Sequence, residues 1–208
     1  MIQSTDPERY PGSSVFVNKL GITSQSGLEL VEAALTATRL HQFFSAPDQH
    51  VVVEPSDRYS LCHFCEIHRY LFQDIYDWAG HIRSYEMCRP FQREYTHTVN
   101  IFEFGASIKK NIDSDIALAN GTVTEASVQL ARYLSHLNLL HPFPEGNGRA
   151  QRGFIWLLAR DFGYDLKWDK LNGDLIHAAA RRLMVDADFG GNESLIQQII
   201  SPRPERFK

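Results

Sequence analysis

The sequence predicts a mostly α-helical fold, a compact helical bundle with one small β-hairpin. Apolar residues recur at helical spacing through most of the 208 residues. Two segments open on a capping box, Ser26 with Glu29 and Thr122 with Glu125, in which each side chain satisfies a backbone N–H of the other's turn. Residues 85–98, interrupted by Pro90, instead lose the helical period for a rough alternation, the mark of a short hairpin. A hydrophobic fraction of 43% and a net charge of −4 describe one globular domain, placed at residues 1–200. Residues 201–208, with two prolines and a basic lean, read as a tail or the start of a linker.

In chain order, residues 6–12 hold two prolines and form a loop. A helix over about 26–44 follows, with Leu28, Val31, Leu35 and Leu40 as its buried stripe. Residues 46–59, with Pro47 and Pro55, are a connection containing a short extended piece at 51–53. The next helix, about 60–78, is rich in aromatic residues and ends at Ala79-Gly80. Within it, Cys62 and Cys65 lie beside His63 and His68, a spacing that could bind zinc or cycle as a disulfide. No second CxxC follows, and Leu61, Phe64, His68, Leu71 and Ile75 share one face, so buried thiols and a hydrogen-bonded core histidine are expected. Three cysteines make no disulfide framework, which points to a reducing compartment. A helix over about 100–118 is apolar at Ile101, Phe104, Ile108 and Ile112, and Asn120-Gly121 ends it. The helix over 122–140 places Val128, Leu130, Ala131, Leu134, Leu137, Leu139 and Leu140 near helical spacing and delivers His141 at its C-terminal end. Another, over 149–160, buries Phe154, Ile155, Leu157 and Leu158 and stops near Gly163. Two scaffold helices are expected near 171–185 and 194–200.

The chemistry is concentrated in His141-Pro142-Phe143-Pro144-Glu145-Gly146-Asn147-Gly148-Arg149-Ala150-Gln151-Arg152. A loop feeding a helix N-terminus presents unpaired N–H groups and a partial positive charge, and so attracts anions. Gly146 and Gly148 let backbone approach a ligand closely, and Asn147 tolerates similar conformations. Arg149 and Arg152, three apart, share the first turn and can fork onto phosphate oxygens. Glu145 makes sense beside phosphates if it holds Mg²⁺, which takes one carboxylate with phosphate oxygens and waters. His141, with an ordinary pKa of about 6.5, is the available proton acceptor.

This stretch resembles the signature HxFx(D/E)GNGRxxR of the Fic (filamentation induced by cAMP) family at every defined position. Residues 68–83 are similar to a second stretch common in that family. The resemblance implies the Fic fold and a protein adenylyltransferase that moves the AMP of Mg·ATP to a Ser, Thr or Tyr hydroxyl of a target protein. His141 would then deprotonate the hydroxyl, Glu145 hold Mg²⁺ and residues 146–149 form the anion hole. Arg152 would reach the terminal phosphate, while Phe143 would anchor the loop in the core. It also implies that residues 85–98 form a flap over the active site whose exposed edge pairs with the target's backbone, with Phe91 supplying side-chain selectivity.

Family members are often restrained by a glutamate in (S/T)xxxE(G/N). The only glutamate here followed by Gly or Asn is Glu145, and His141 stands four residues before it. Two expectations follow: a separate small antitoxin supplies the glutamate, or the enzyme is controlled by delivery and target choice, as a toxin or effector. The motif fixes a pyrophosphate and says little of what hangs from it, so transfer of UMP or phosphocholine is an alternative, as is a non-catalytic peptide-binding module. The acidic balance without a long basic run argues against nucleic acid as a partner. No run approaches the roughly 18–20 apolar residues of a membrane span. The N-terminus lacks a secretory pattern, which fits the cytoplasm of the producing bacterium and is compatible with later delivery into a host cell.

Overall fold

A computed structural model describes residues 8–87, 93–117 and 121–203. Helix α1 (Gln25–Ser45) starts at Ser24, whose side chain accepts from the Gly27 N–H, so the cap lies two residues before the expected Ser26. After a single turn, α2 (Pro47–His50), come α3 (Leu61–Phe72), α4 (Ile101–Ala117) and α5 (Val123–Leu140), then α6 (Asn147–Asp161), α7 (Gly173–Asp186) and α8 (Gly190–Ile199). The capping box of Thr122 and Glu125 is formed in full at the start of α5.

Helix α6 runs through the middle of the molecule, with Ile155 and Leu158 at 0% exposure. It packs against α5, α3 and α1, while α8 covers α5 and α7 lies against α8. Gly153 makes the α3 approach possible, because a Cβ there would sit 3.2 Å from Ile67 Cγ2. Asn192 of α8 donates to the Ser135 hydroxyl of α5 at 2.8 Å, a buried polar pair that fixes the two helices in register.

The expected helix over 60–78 stops at Phe72. Its apolar pattern continues because Ile75 and Tyr76 are buried, but as turns, with both N–H groups returning to Phe72 O. Gly80 closes this stretch against α3 with φ +83°, and a Cβ there would lie 2.7 Å from Arg69 Cβ. Cys62 is exposed, contrary to the expectation of two buried thiols, whereas Cys65 is partly buried and burial raises its pKa to about 12. His63 and His68 are both buried and hydrogen-bonded. Val128, expected on the apolar face of α5, is 44% exposed.

The small antiparallel sheet pairs β1 (Tyr164–Leu166) with β2 (Ile200–Pro202), Asp165 opposite Ser201. The first residues of the expected tail are therefore tied to the strand that follows α6. Residues 85–87 and 93–97 carry no strand. Cys88, Pro90 and Phe91 lie outside the described residues. No helix among the described residues is long and apolar enough to cross a membrane.

Candidate active site

Helix α5 ends at His141, which takes the left-handed conformation (φ 40°, ψ 59°) and returns its N–H to Leu137 O at 3.1 Å. The carbonyls of the last turn are then taken up one by one. Gln151 Nε2 reaches Leu137 O at 3.2 Å, His141 Nδ1 lies 3.3 Å from Asn138 O, and Thr96 gives both its N–H (2.9 Å) and its hydroxyl (3.0 Å) to Leu139 O. A carbonyl can only accept, so the neutral His141 ring carries its proton on Nδ1 in this contact. That leaves the Nε2 lone pair as the basic one.

The loop from Pro142 to Gly146 is held by its own side chains. Phe143 is fully buried and stacks on His68 with centroids 3.9 Å apart. Asn147 spans the loop, accepting from Phe143 N at 3.1 Å and donating to Phe143 O at 2.7 Å. Its side chain is thus committed to shape, and only its backbone N–H remains for an anion. His68 accepts at Nδ1 from Gly80 N (2.9 Å), so its Nε2–H donates to Glu145 O (2.9 Å). Burial lowers the His68 pKa to about 3, which keeps the ring neutral and the arrangement fixed.

At the start of α6, Gly146 is the N-cap, with φ +81° and no side-chain cap. A Cβ on Gly148 would meet nothing within 4 Å, so the first turn of the helix faces open space there. Glu145, with 45% of its side chain exposed, accepts from Gly146 N at 2.8 Å and lies 3.3 Å from Arg149. The two arginines differ. Arg149 is bound within the protein, at 2.5 Å from Glu32 Oε1, 3.2 Å from Thr36 Oγ1 and 4.7 Å from the Phe72 ring centroid. Arg152 has no hydrogen-bond or ion-pair partner among the described residues, and burial and the Arg149 charge both lower its pKa. A desolvated guanidinium beside a second cation and an uncapped helix N-terminus calls for an anion.

The described residues contain no cluster of three groups able to chelate a metal. Glu145 alone suits Mg²⁺, whose usual site is one or two carboxylates completed by substrate phosphates and water.

Glu32, Thr36, Arg83 and Tyr95 join the site from outside the residues singled out in the sequence. Glu32 is buried on α1, bonded to Arg149 and to the Tyr76 hydroxyl. Leu28, Glu32 and Thr36 recur every fourth residue, so an acid on the buried stripe was visible, though its partner was not. Arg83 is buried and donates to His141 O at 2.9 Å and Tyr85 O at 2.8 Å. Tyr95 stacks on His141.

Residues 58–159 match the Fic/DOC family. The chain is 32% identical to "Protein adenylyltransferase VbhT" of Bartonella schoenbuchensis over 94% of its own length, and spans 44% of that protein. It is 34% identical to "Probable protein adenylyltransferase Fic" of Salmonella typhimurium, across 80% of this chain and 78% of that one. In structure it resembles BepC, a VirB-translocated effector of Bartonella tribocorum with bound AMPPNP (TM-score 0.85, 20% identity, 96% and 98% of the two chains). It also resembles the N-terminal Fic domain of a Bartonella quintana effector with bound ADP (TM-score 0.83, 21% identity, 97% of each chain).

Proposed function

Because the chain belongs to the Fic/DOC family, we propose that it is a protein adenylyltransferase, moving AMP from ATP to a Ser, Thr or Tyr hydroxyl of another protein with release of pyrophosphate. The observation that carries this reading is the desolvated Arg152 guanidinium, without a partner among the described residues, beside the uncapped N-terminus of α6. That corner is suited to the phosphates of a nucleotide. The names of the sequence relatives and the adenine nucleotides in two structural neighbours support ATP as the donor.

In the proposed reaction the target hydroxyl oxygen attacks the α phosphorus and the bond to the bridging oxygen of the β phosphate breaks. His141 takes the hydroxyl proton on Nε2. Backbone N–H groups at residues 147 and 148 face the developing phosphate charge, and Arg152 holds the terminal phosphate. Arg149 serves mainly to tie the loop to α1. Glu145 would hold Mg²⁺, which neutralises phosphate charge when bound. Catalysis here is positioning and charge stabilisation.

His141→Ala should abolish transfer while leaving ATP binding within about twofold, since the imidazole is assigned no part in holding the phosphates. Labelled-ATP transfer in lysate paired with calorimetric ATP binding checks both halves, and retained transfer in the variant rejects the base assignment. Glu145→Ala should raise the Mg²⁺ concentration needed for half-maximal rate. The added mass on a modified target separates AMP from UMP or phosphocholine, and no self-modification or target modification by the intact protein would favour a peptide-binding module.

We further propose that restraint comes from outside the chain, through a small antitoxin whose glutamate pairs with Arg152, because no inhibitory glutamate motif is present in the sequence. Transfer unchanged by such a partner would leave the other route, control by delivery and target choice, as for a translocated effector.

A further inference from the structure

We infer that Tyr95 is a positioning residue for the His141 imidazole, through which the segment expected to form the flap sets the direction of the reacting lone pair. Its geometry is independent of the adenylyl-transfer reading, and only its kinetic consequence rests on that reading. The two rings are stacked with centroids 3.8 Å apart and planes 20° from parallel. Tyr95 is 6% exposed, so the stack is a buried contact and not a surface encounter.

The chain on either side of Tyr95 is held to the end of α5 and to α7. Arg93 N donates to Met184 O at 2.7 Å, and Thr96 gives two hydrogen bonds to Leu139 O. The Arg83 guanidinium joins Tyr85 O, Thr96 O and His141 O, and Arg83 N reaches Pro142 O at 2.8 Å. Both ends of the 85–96 segment and the His141 backbone therefore hang on one buried cation. The imidazole also makes a 3.3 Å contact from Nδ1 to Asn138 O, a long hydrogen bond at one edge of the ring. The Tyr95 face fixes the ring plane, and with it the direction of the Nε2 lone pair. A base whose ring plane is set in this way presents Nε2 in one direction, and misalignment of a reacting group costs up to about 10²-fold in rate.

The test uses the full chain with Tyr95→Leu, which removes the ring, and Tyr95→Phe, which keeps it. In the Leu variant kcat for transfer should fall about 10- to 100-fold with the KM for ATP within about twofold, and the Phe variant should restore it. Independently of activity, the His141 ring-proton NMR resonances, assigned by their loss in His141→Ala, should lie upfield in the wild type and the Phe variant and move downfield in the Leu variant. Unshifted His141 resonances in the wild type overturn the inference even if the Leu variant does not fold, and so does an undiminished kcat in the Leu variant. A wild type that shows the ring shift yet transfers no AMP sinks the adenylyl-transfer reading and leaves the stack standing.

Discussion

At Gly146 a single methyl group decides whether the loop can close. A Cβ there would stand 2.2 Å from Phe72 Cζ and 3.0 Å from His68 Nε2, on a backbone at φ +81°. Positive φ costs a non-glycine residue about 1–2 kcal/mol, and overpacking a filled site about 1–3 more. Gly146→Ala should therefore lower unfolding stability by about 2–5 kcal/mol and abolish transfer, and a urea-unfolding loss below about 1 kcal/mol would contradict the packing described. Gly148 is the opposite case, with nothing within 4 Å of its would-be Cβ and helical backbone that alanine adopts freely. Gly148→Ala should leave the urea midpoint unchanged or raised and weaken ATP binding, because the added methyl enters the space a phosphate would use. Two glycines two residues apart thus separate a shape requirement from a ligand requirement, and a calorimetric ATP affinity unaltered in Gly148→Ala would place the nucleotide elsewhere.

Among the elements, α5, α6 and the loop between them were legible because their determinants are local. A capping box, two glycines and a histidine lie within one continuous stretch, and each acts on backbone within a few residues of itself, while the two arginines stand out by their spacing. What holds that unit in place was not legible, since Arg149 meets Glu32 across 117 residues and Arg83 meets His141 across 58. Periodicity ranks α1 positions by apolarity, so it chose Val31 and Leu35, whereas the structure buries Glu32 and Thr36 to satisfy an arginine from another helix. Apolar spacing likewise carried the third helix past Phe72, because buried turn residues and buried helix residues look alike in sequence. Arg83→Met keeps the aliphatic stem but leaves the carbonyls of His141, Tyr85 and Thr96 without that donor. At about 1–3 kcal/mol for each buried group left unpaired, with water repairing part, a loss of about 2–4 kcal/mol in chemical denaturation is expected. A loss under about 1 kcal/mol would mean that the guanidinium does not tie these segments together.

For the molecule as a whole, two buried neutral histidines should set the acid limit of stability. Burial lowers the pKa of His68 to about 3 and that of His63 to about 4, while both return to about 6.5 when the chain unfolds. Below pH 6.5 the unfolded chain binds protons that the native rings refuse, so stability rises with pH there and is lost as pH falls from about 6.5 toward the folded values. Once the unfolded rings are protonated, each contributes a slope of about 1.4 kcal/mol per pH unit. Ordinary carboxylates have pKa values of about 4, which leaves pH 7 to 5 as the window in which the histidines dominate. Urea-unfolding free energies should hold near pH 7 and then fall steadily toward pH 5. His68→Gln, less stable at neutral pH because the stacked ring is gone, should show a shallower fall over the same window. Transfer activity should decline with the folded fraction, since a protonated His68 has no lone pair for Gly80 N and the chain that positions Glu145 would open there first. Equal acid slopes for wild type and His68→Gln would show that this ring is not held neutral behind the loop, and would remove the support assigned to it beneath the phosphate site.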